Sequence, residues 1–227
     1  MKVTAPGLIR STGVAAIAAG LLFVVIQPIH PPDTLASVTT GAWSAIHQAT
    51  LLMTVLFLAG ITGIYARQVE ESGWLGLAGY VALSLGLLIT AGFVFVEAFI
   101  EPLLTGSSPA FVESVLAMVE GTPAQVDLGP LPALGSASGA LVLGGCIVFG
   151  IATMRARVLS RAAAAVFAFG FLVSAPISIG LDAPRLTAVP LGLGLAWLGY
   201  ALWSKERTPA ASRQAMPIAQ SGQTTSA

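Results

Sequence analysis

The chain has 227 residues, of which 56% are hydrophobic and only 9% are charged, and its mean hydropathy is +0.88. A water-soluble domain carries roughly 25% charged residues, so this composition excludes an ordinary soluble fold and predicts a membrane protein. The net charge is zero, which argues against a nucleic-acid partner, and the single cysteine, Cys146, excludes an intramolecular disulfide.

Charged residues divide the chain into six apolar segments, each close to the ~20 residues that a helix needs to cross about 30 Å of hydrocarbon. We therefore predict an all-α, polytopic helical bundle over residues 1–207, embedded in the lipid bilayer. Its six transmembrane spans are expected at about 11–29, 47–65, 74–97, 131–154, 162–181 and 186–204. The polar residues 208–227 lack apolar periodicity and are predicted to form a disordered cytoplasmic tail.

Basic residues determine the predicted orientation, because short cytoplasmic loops of membrane proteins are enriched in Lys and Arg. When both termini are placed inside, nine of the ten basic residues lie on the cytoplasmic side and only Arg185 lies outside. Most of the acidic residues then lie on the outer side. The sequence therefore predicts that the N- and C-termini are both cytoplasmic.

The long connection 102–130 lies outside in this topology. Pro109 is typical of the first helical position and Gly121 of the residue that follows a helix. Apolar residues on one side and acidic residues on the other predict an amphipathic helix at 109–120. This helix is expected to rest on the outer membrane surface or, alternatively, to cover an outward-facing cavity.

Polar residues inside the spans are the best functional indicators, because ionisable groups are costly in lipid. They share one helical face on each of two spans: His47, Thr50 and Thr54 on the second, where Trp43 lies on the same face, and Thr90, Glu97 and Glu101 on the third. His47 lies about 30 Å along its helix from the inner end, and Glu97 lies about 36 Å along its own. These two side chains are therefore expected at the same level near the outer membrane face.

Two further spans end in polar groups at that face, namely Gln27 and His30 on the first span and Asp182 on the fifth. With His47, Glu97 and Glu101 they form the predicted outer polar cluster. Such a cluster can bind and release a proton, or ligate zinc or another divalent ion, although the sequence does not identify a metal. Ordinary interfacial positions for these side chains are the simpler interpretation. A haem held between His30 and His47 lacks an attachment motif, so no cofactor is predicted.

The second and third spans also carry a short sequence pattern. It consists of His47, then Gly63-Ile64-Tyr65-Ala66-Arg67-Gln68, then Gly73, Gly76 and Gly79, and finally Glu97-Ala98-Phe99. In these residues the chain resembles small multi-pass bacterial membrane proteins of unknown function. The resemblance implies a location in the bacterial inner membrane and adds weight to His47, Arg67, Gln68 and Glu97, but it implies no activity.

Small residues at four-residue spacing line the last three spans, as in Gly135 with Gly139 and Gly192 with Ala196. Such stripes let helix backbones approach closely in lipid. They predict packing within the chain or, alternatively, a homo-oligomer.

Two function classes remain open. The sequence shows no paired nucleophile and base, no phosphate loop and no zinc-protease motif, so we predict a non-enzymatic membrane protein that binds or regulates a partner. A proton- or cation-coupled small-solute transporter using the outer cluster is the alternative. A polar path reaching the membrane midplane would favour transport, whereas a cluster sealed below Thr54 and Thr90 would favour binding.

Overall fold

A computed structural model describes residues 4–180 and 184–205, so the predicted tail 208–227 and Asp182 lie outside the described residues. The regular structure of the described part is helical throughout, which confirms the predicted all-α class. Its α-helices are α1 (Ala5–Ile29), α2 (Leu35–Val38), α3 (Gly41–Arg67), α4 (Val69–Phe95), α5 (Glu101–Leu104), α6 (Pro109–Glu120), α7 (Leu131–Ala156), α8 (Arg161–Gly180) and α9 (Val189–Lys205). A π-turn, Val96–Ile100, joins α4 to α5, and a 3₁₀ turn, Pro184–Ala188, precedes α9.

Five helical segments among the described residues are long and apolar enough to cross a membrane. These are Ala5–Ile29, Gly41–Arg67, Val69–Leu104, Leu131–Ala156 and Arg185–Lys205. The predicted fifth span, 162–181, corresponds to α8, in which Arg161–Ser174 forms a shorter apolar helix. The helical bundle is thus confirmed, and five of its described segments are long and apolar enough to span a membrane where the sequence predicts six spans.

The long helices pack in a ring that follows the order of the chain. Each contacts the next in the series α1, α3, α4, α7, α8 and α9, and α9 closes the ring against α1. Aromatic side chains fill its centre, where the Phe167 ring lies edge-on to Phe57 and to Phe149. Because successive members of the ring run in opposite directions, their ends collect at two opposite ends of the bundle.

Most charges of one sign lie at one end. The acidic end carries Asp33, Glu97, Glu101, Glu113, Glu120 and Asp127 together with Arg185, and the basic end carries Arg10, Arg67, Arg155, Arg157, Arg161 and Lys205 together with Glu70 and Glu71. Contacts across the ring hold the basic end together, since the Arg10 guanidinium lies 5.6 Å from the centre of the Trp203 ring and Lys205 donates a hydrogen bond to the Val158 carbonyl.

Glycine lets α1 and α9 pack backbone against backbone. A Cβ atom added at Gly20 would lie 2.3 Å from the Gly192 carbonyl oxygen, which is far inside van der Waals contact. A Cβ atom at Gly139 or Gly144, on α7, would meet nothing within 4 Å. Gly192 of the predicted stripe therefore packs inside the chain, and a homo-oligomer stays a prediction.

Candidate functional site

The site begins with an irregularity in the third span. The main-chain N–H of Glu101 donates to the Val96 carbonyl, five residues earlier, instead of to Glu97, four residues earlier. Residue 102 is a proline, which has no N–H to donate and whose ring disfavours the regular helical position. The helix therefore widens into the π-turn, and the Glu97 carbonyl is left without a donor from its own helix.

Trp43 supplies the missing donor. Its indole N–H donates to the Glu97 carbonyl oxygen at 2.9 Å, and the indole is only 1% exposed. A buried carbonyl without a partner costs about 1–3 kcal/mol, so this bond fixes α3 against the end of α4. It also determines where the Glu97 side chain points.

His47, one turn after Trp43, faces the Glu97 carboxylate. The Nδ1 atom of His47 lies 2.9 Å from the Trp43 carbonyl oxygen, and its Nε2 atom lies 3.6 Å from Oε2 of Glu97. A carbonyl only accepts hydrogen bonds, so Nδ1 carries a proton and Nε2 is the atom that can gain or lose one. Two lone pairs facing each other would repel, and a single proton held between His47 and Glu97 removes that repulsion.

Glu101 is the most deeply buried acid of the cluster. It is 0% exposed, and neither of its carboxyl oxygens has a hydrogen-bond partner among the described residues. An ionised carboxylate is costly in such surroundings, so this group requires a proton or a bound cation. Glu97 lies within electrostatic range of it, which adds repulsion between the two acids whenever both are ionised.

The end of α1 completes the cluster. The centre of the His30 ring lies 5.0 Å from that of His47 and 6.1 Å from that of Trp43, edge-on to both. The Nδ1 atom of His30 donates to the Pro31 carbonyl at 2.7 Å. Beside it Asp33 pairs with Arg185, at a nitrogen–oxygen distance of 2.5 Å. This ion pair ties the α1–α2 connection to the 3₁₀ turn before α9.

Helix α6 covers the acidic end. Its Val112 and Leu116 side chains are buried against Trp43 and Val38, so the helix packs on the cluster itself. Hydrogen bonds from the main-chain N–H groups of residues 125 and 126 to the Ser114 hydroxyl fold the following loop back onto α6. The sequence allows this helix either to rest on the outer membrane surface or to cover an outward-facing cavity. Its packing on the cluster favours the second arrangement.

A cavity of about 420 Å³ lies between α4, α6 and α7, with Glu97 in its wall. Phe93 and Met118 give it apolar sides, while Thr90 and Ser138 contribute hydroxyls. The volume is within the ~300–1,000 Å³ that is typical of small-molecule sites. Glu97 thus lines this open volume and also lies beside His47, with its Oε2 atom 3.6 Å from Nε2 of the imidazole.

Below this cavity the site becomes apolar. A second cavity of about 260 Å³ shares Thr90 and Gly139 with the first and extends to Thr54 and Phe57. The Thr54 hydroxyl donates to the Thr50 carbonyl, and the Thr90 hydroxyl donates to the Gly86 carbonyl. Among the described residues, the path below the cluster therefore continues as a largely apolar cavity in which both threonine hydroxyls are engaged by main-chain carbonyls, and not as the continuous polar path that transport would require.

Most of the predicted outer residues come together, and some do not. His47, Glu97, Glu101 and His30 lie in the cluster, whereas the Gln27 side chain donates to the Phe23 carbonyl of its own helix and does not join them. Thr50 likewise donates to the carbonyl four residues earlier in its helix, that of Ile46. Asp182 lies outside the described residues.

The sequence placed Trp43 on the same face as His47, but it did not reveal the hydrogen bond from the indole to the Glu97 carbonyl or the ion pair of Asp33 with Arg185. The hydrogen bond had only an indirect signal, because a proline in a regular α-helix frees the carbonyl four residues earlier, and the π-turn transfers this effect to Glu97. The ion pair joins residues 152 positions apart, and no local pattern predicts such a contact.

Within the described ranges, no group of three or more His, Cys, Asp or Glu side chains is arranged to hold a metal ion.

His30 provides a pH-dependent signal at the edge of the cluster. Burial lowers the pKa of the His30 imidazole from its ordinary value of 6.5, and the nearby Arg185 acts in the same direction, against the Pro31 hydrogen bond and Asp33. The titration midpoint of the His30 imidazole should therefore lie below 6.5. NMR titration of histidine-labelled protein in detergent measures this directly, because the chain has two histidines and His30→Gln assigns the signals. A midpoint at or above 6.5 would contradict the burial of this ring.

Comparison with protein-family models, with curated proteins and with solved structures finds no match to this chain. The resemblance of the second and third spans to small bacterial membrane proteins therefore stays a prediction. A function for this chain has to be inferred from the geometry of the cluster and its cavity.

Proposed function

We propose that this chain is a six-span protein of the bacterial inner membrane with both termini cytoplasmic, and that it binds a small organic cation from outside without catalysing a reaction. The span that brings the five full-length segments to six is α8, the fifth in chain order. It begins at Arg161 on the basic end and leads to the 3₁₀ turn, where Arg185 pairs with Asp33 on the acidic end. The excess of basic residues at one end supports the orientation, and the resemblance of the second and third spans supports the location.

Cysteine labelling tests this topology in a Cys146→Ala background, which removes the buried native thiol. A cysteine introduced at Met118 should react with a membrane-impermeant reagent in intact cells, because α6 lies outside. One introduced at Arg157 should react only after permeabilisation. Labelling of the cysteine at position 157 from outside would reverse the orientation.

One observation carries the binding proposal: Glu97 lines the cavity, and its Oε2 atom lies 3.6 Å from Nε2 of His47. An ammonium group in the cavity can donate to the same carboxylate in place of the shared proton. Phe93 and Met118 offer apolar contact to the rest of the molecule. The site is therefore suited to a small amine with an apolar body, whose entry releases one proton.

Catalysis is a poorer fit to this arrangement. The Nδ1 atom of His47 is committed to the Trp43 carbonyl, and its Nε2 atom faces Glu97. The ring therefore has no nitrogen left to activate a hydroxyl or thiol nucleophile.

Transport coupled to a proton is the second candidate, favoured by the deeper cavity that adjoins the first. Passage of a cation through it would require polar groups to replace lost hydration. Its walls are largely apolar side chains such as Phe57 and Leu87, and its two threonine hydroxyls already donate to main-chain carbonyls. Binding without passage is therefore the function we propose, with a regulatory or sensory role.

Benzylamine and benzyl alcohol form a matched pair of probes, because they share an apolar ring and differ in charge. Benzylamine should raise the melting temperature of the purified protein in detergent, since a ligand that binds only the folded state stabilises it, and benzyl alcohol should raise it far less. The apparent affinity for the amine should increase at least about tenfold from pH 5.5 to 7.5, because protons compete with the amine for Glu97.

Glu97→Gln removes the proposed anchor, and Glu120→Gln is its control, since Glu120 lies exposed at the end of α6. The first variant should lose the response to benzylamine and the second should keep it. Equal stabilisation by amine and alcohol, or an undiminished amine response in Glu97→Gln, would contradict the proposal.

A further inference from the structure

The basic end contains a second recess, remote from the acidic cluster. Arg155 and Arg157 at the end of α7 and Arg161 at the start of α8 line a volume of about 590 Å³, and the other described residues around it are Ile151 and Met154. All three arginines are exposed. The recess therefore combines a strongly positive rim with an apolar side.

The three guanidinium groups have no acidic partner within the described residues. Arg161 also occupies the first position of α8, where the helix dipole disfavours a cation and favours an anion. The three arginine charges repel one another, and the positive N-terminal end of the α8 dipole also repels them. A bound anion would relieve both effects.

Arg157 adopts a backbone conformation that does not suit its residue type. Its φ of 56° and ψ of 18° are left-handed, and within the described part of the chain it is the one non-glycine residue with a positive φ. Glycine is the usual residue at this position after a helix, because a Cβ atom is unfavourable there. Arginine therefore occupies this position at a cost in backbone conformational energy that glycine would avoid.

The rest of the α7–α8 turn is held in place. Leu159 is buried in the core, Lys205 donates to the Val158 carbonyl, and the Ser160 hydroxyl accepts a hydrogen bond from the Ala163 N–H at the start of α8. The arginines are therefore carried on a fixed turn, which lowers the entropy cost of binding a ligand.

We propose that this recess binds the phosphate group of an anionic phospholipid. Guanidinium groups match the oxygens of a phosphate with paired hydrogen bonds, which a lysine ammonium does not provide. Ile151 and Met154, on the last turns of a membrane-spanning helix, offer apolar contact where a lipid's glycerol and acyl chains would lie. This apolar side favours a lipid headgroup over a free phosphate ion.

The full-length protein in detergent can be titrated with short-chain phosphatidylglycerol, short-chain phosphatidylcholine and inorganic phosphate, with binding followed by thermophoresis. Phosphatidylglycerol should bind at least tenfold more tightly than phosphatidylcholine, whose choline cation the arginines repel. Inorganic phosphate should bind weakest, because it makes no apolar contact. Phosphate binding as tightly as phosphatidylglycerol would overturn the assignment to a lipid.

Arg157→Gly separates binding from folding, because glycine suits the left-handed backbone at this position. This variant should melt at the same temperature as the wild type in lipid-free detergent, or higher, and yet bind phosphatidylglycerol at least tenfold more weakly. Arg10→Gln removes a cation from the same end but outside the recess, and it should bind like the wild type. Undiminished binding by Arg157→Gly, or an equal loss in Arg10→Gln, would overturn the proposal.

Discussion

The acidic end of this protein depends on one hydrogen bond, from the Trp43 indole to the Glu97 carbonyl. The bond exists because Pro102 cannot donate to that carbonyl and the N–H of Glu101 donates elsewhere. In the interior of a membrane protein water does not provide a hydrogen bond to an unpaired carbonyl, so a neighbouring helix must provide the donor. The constraint that a single proline imposes on its own helix thereby fixes the contact between α3 and α4.

Several features of the site follow from this contact. It brings Trp43 and His47, which lie one turn apart on α3, against the π-turn after α4 that carries Glu97. The indole also contributes to the small apolar core on which α6 rests, so the cover of the cavity and the position of the carboxylate depend on the same side chain. A proton shared by His47 and Glu97 and a cation in the cavity then compete for one carboxylate, which couples occupancy of the site to pH.

The sequence predicted the parts of this structure that the bilayer itself imposes. Hydrocarbon demands apolar runs of a certain length, so the positions of the helices and the shared level of His47 and Glu97 could be derived by counting residues. Gly73, whose φ of 56° interrupts the third span, lies one residue before the predicted start at 74, although the apolar helical segment itself runs from Val69 to Leu104. The structure also has a helix over residues 109–120, where a proline start and a glycine end were recognised.

Features that depend on packing between distant segments were not predictable in this way. The pairing of Asp33 with Arg185 and the complete burial of Glu101 arise only when the ring closes. Gln27 occupies the expected end of its span, yet it bonds to its own helix, because depth along a helix does not determine which way a side chain turns. Pro102 is visible in the sequence and indicates an irregular helix near Glu97. The sequence did not show that the Trp43 indole on the neighbouring helix would donate to the freed carbonyl.

The hydrogen exchange of the Trp43 indole, observed by NMR in tryptophan-labelled protein, tests the central contact most directly. The account predicts that this N–H exchanges slowly, because it is buried and donates to the Glu97 carbonyl. It further predicts that Pro102→Ala, which adds a main-chain N–H able to compete for the Glu97 carbonyl, accelerates the exchange of Trp43. An exchange rate for Trp43 that Pro102→Ala leaves unchanged would contradict the account.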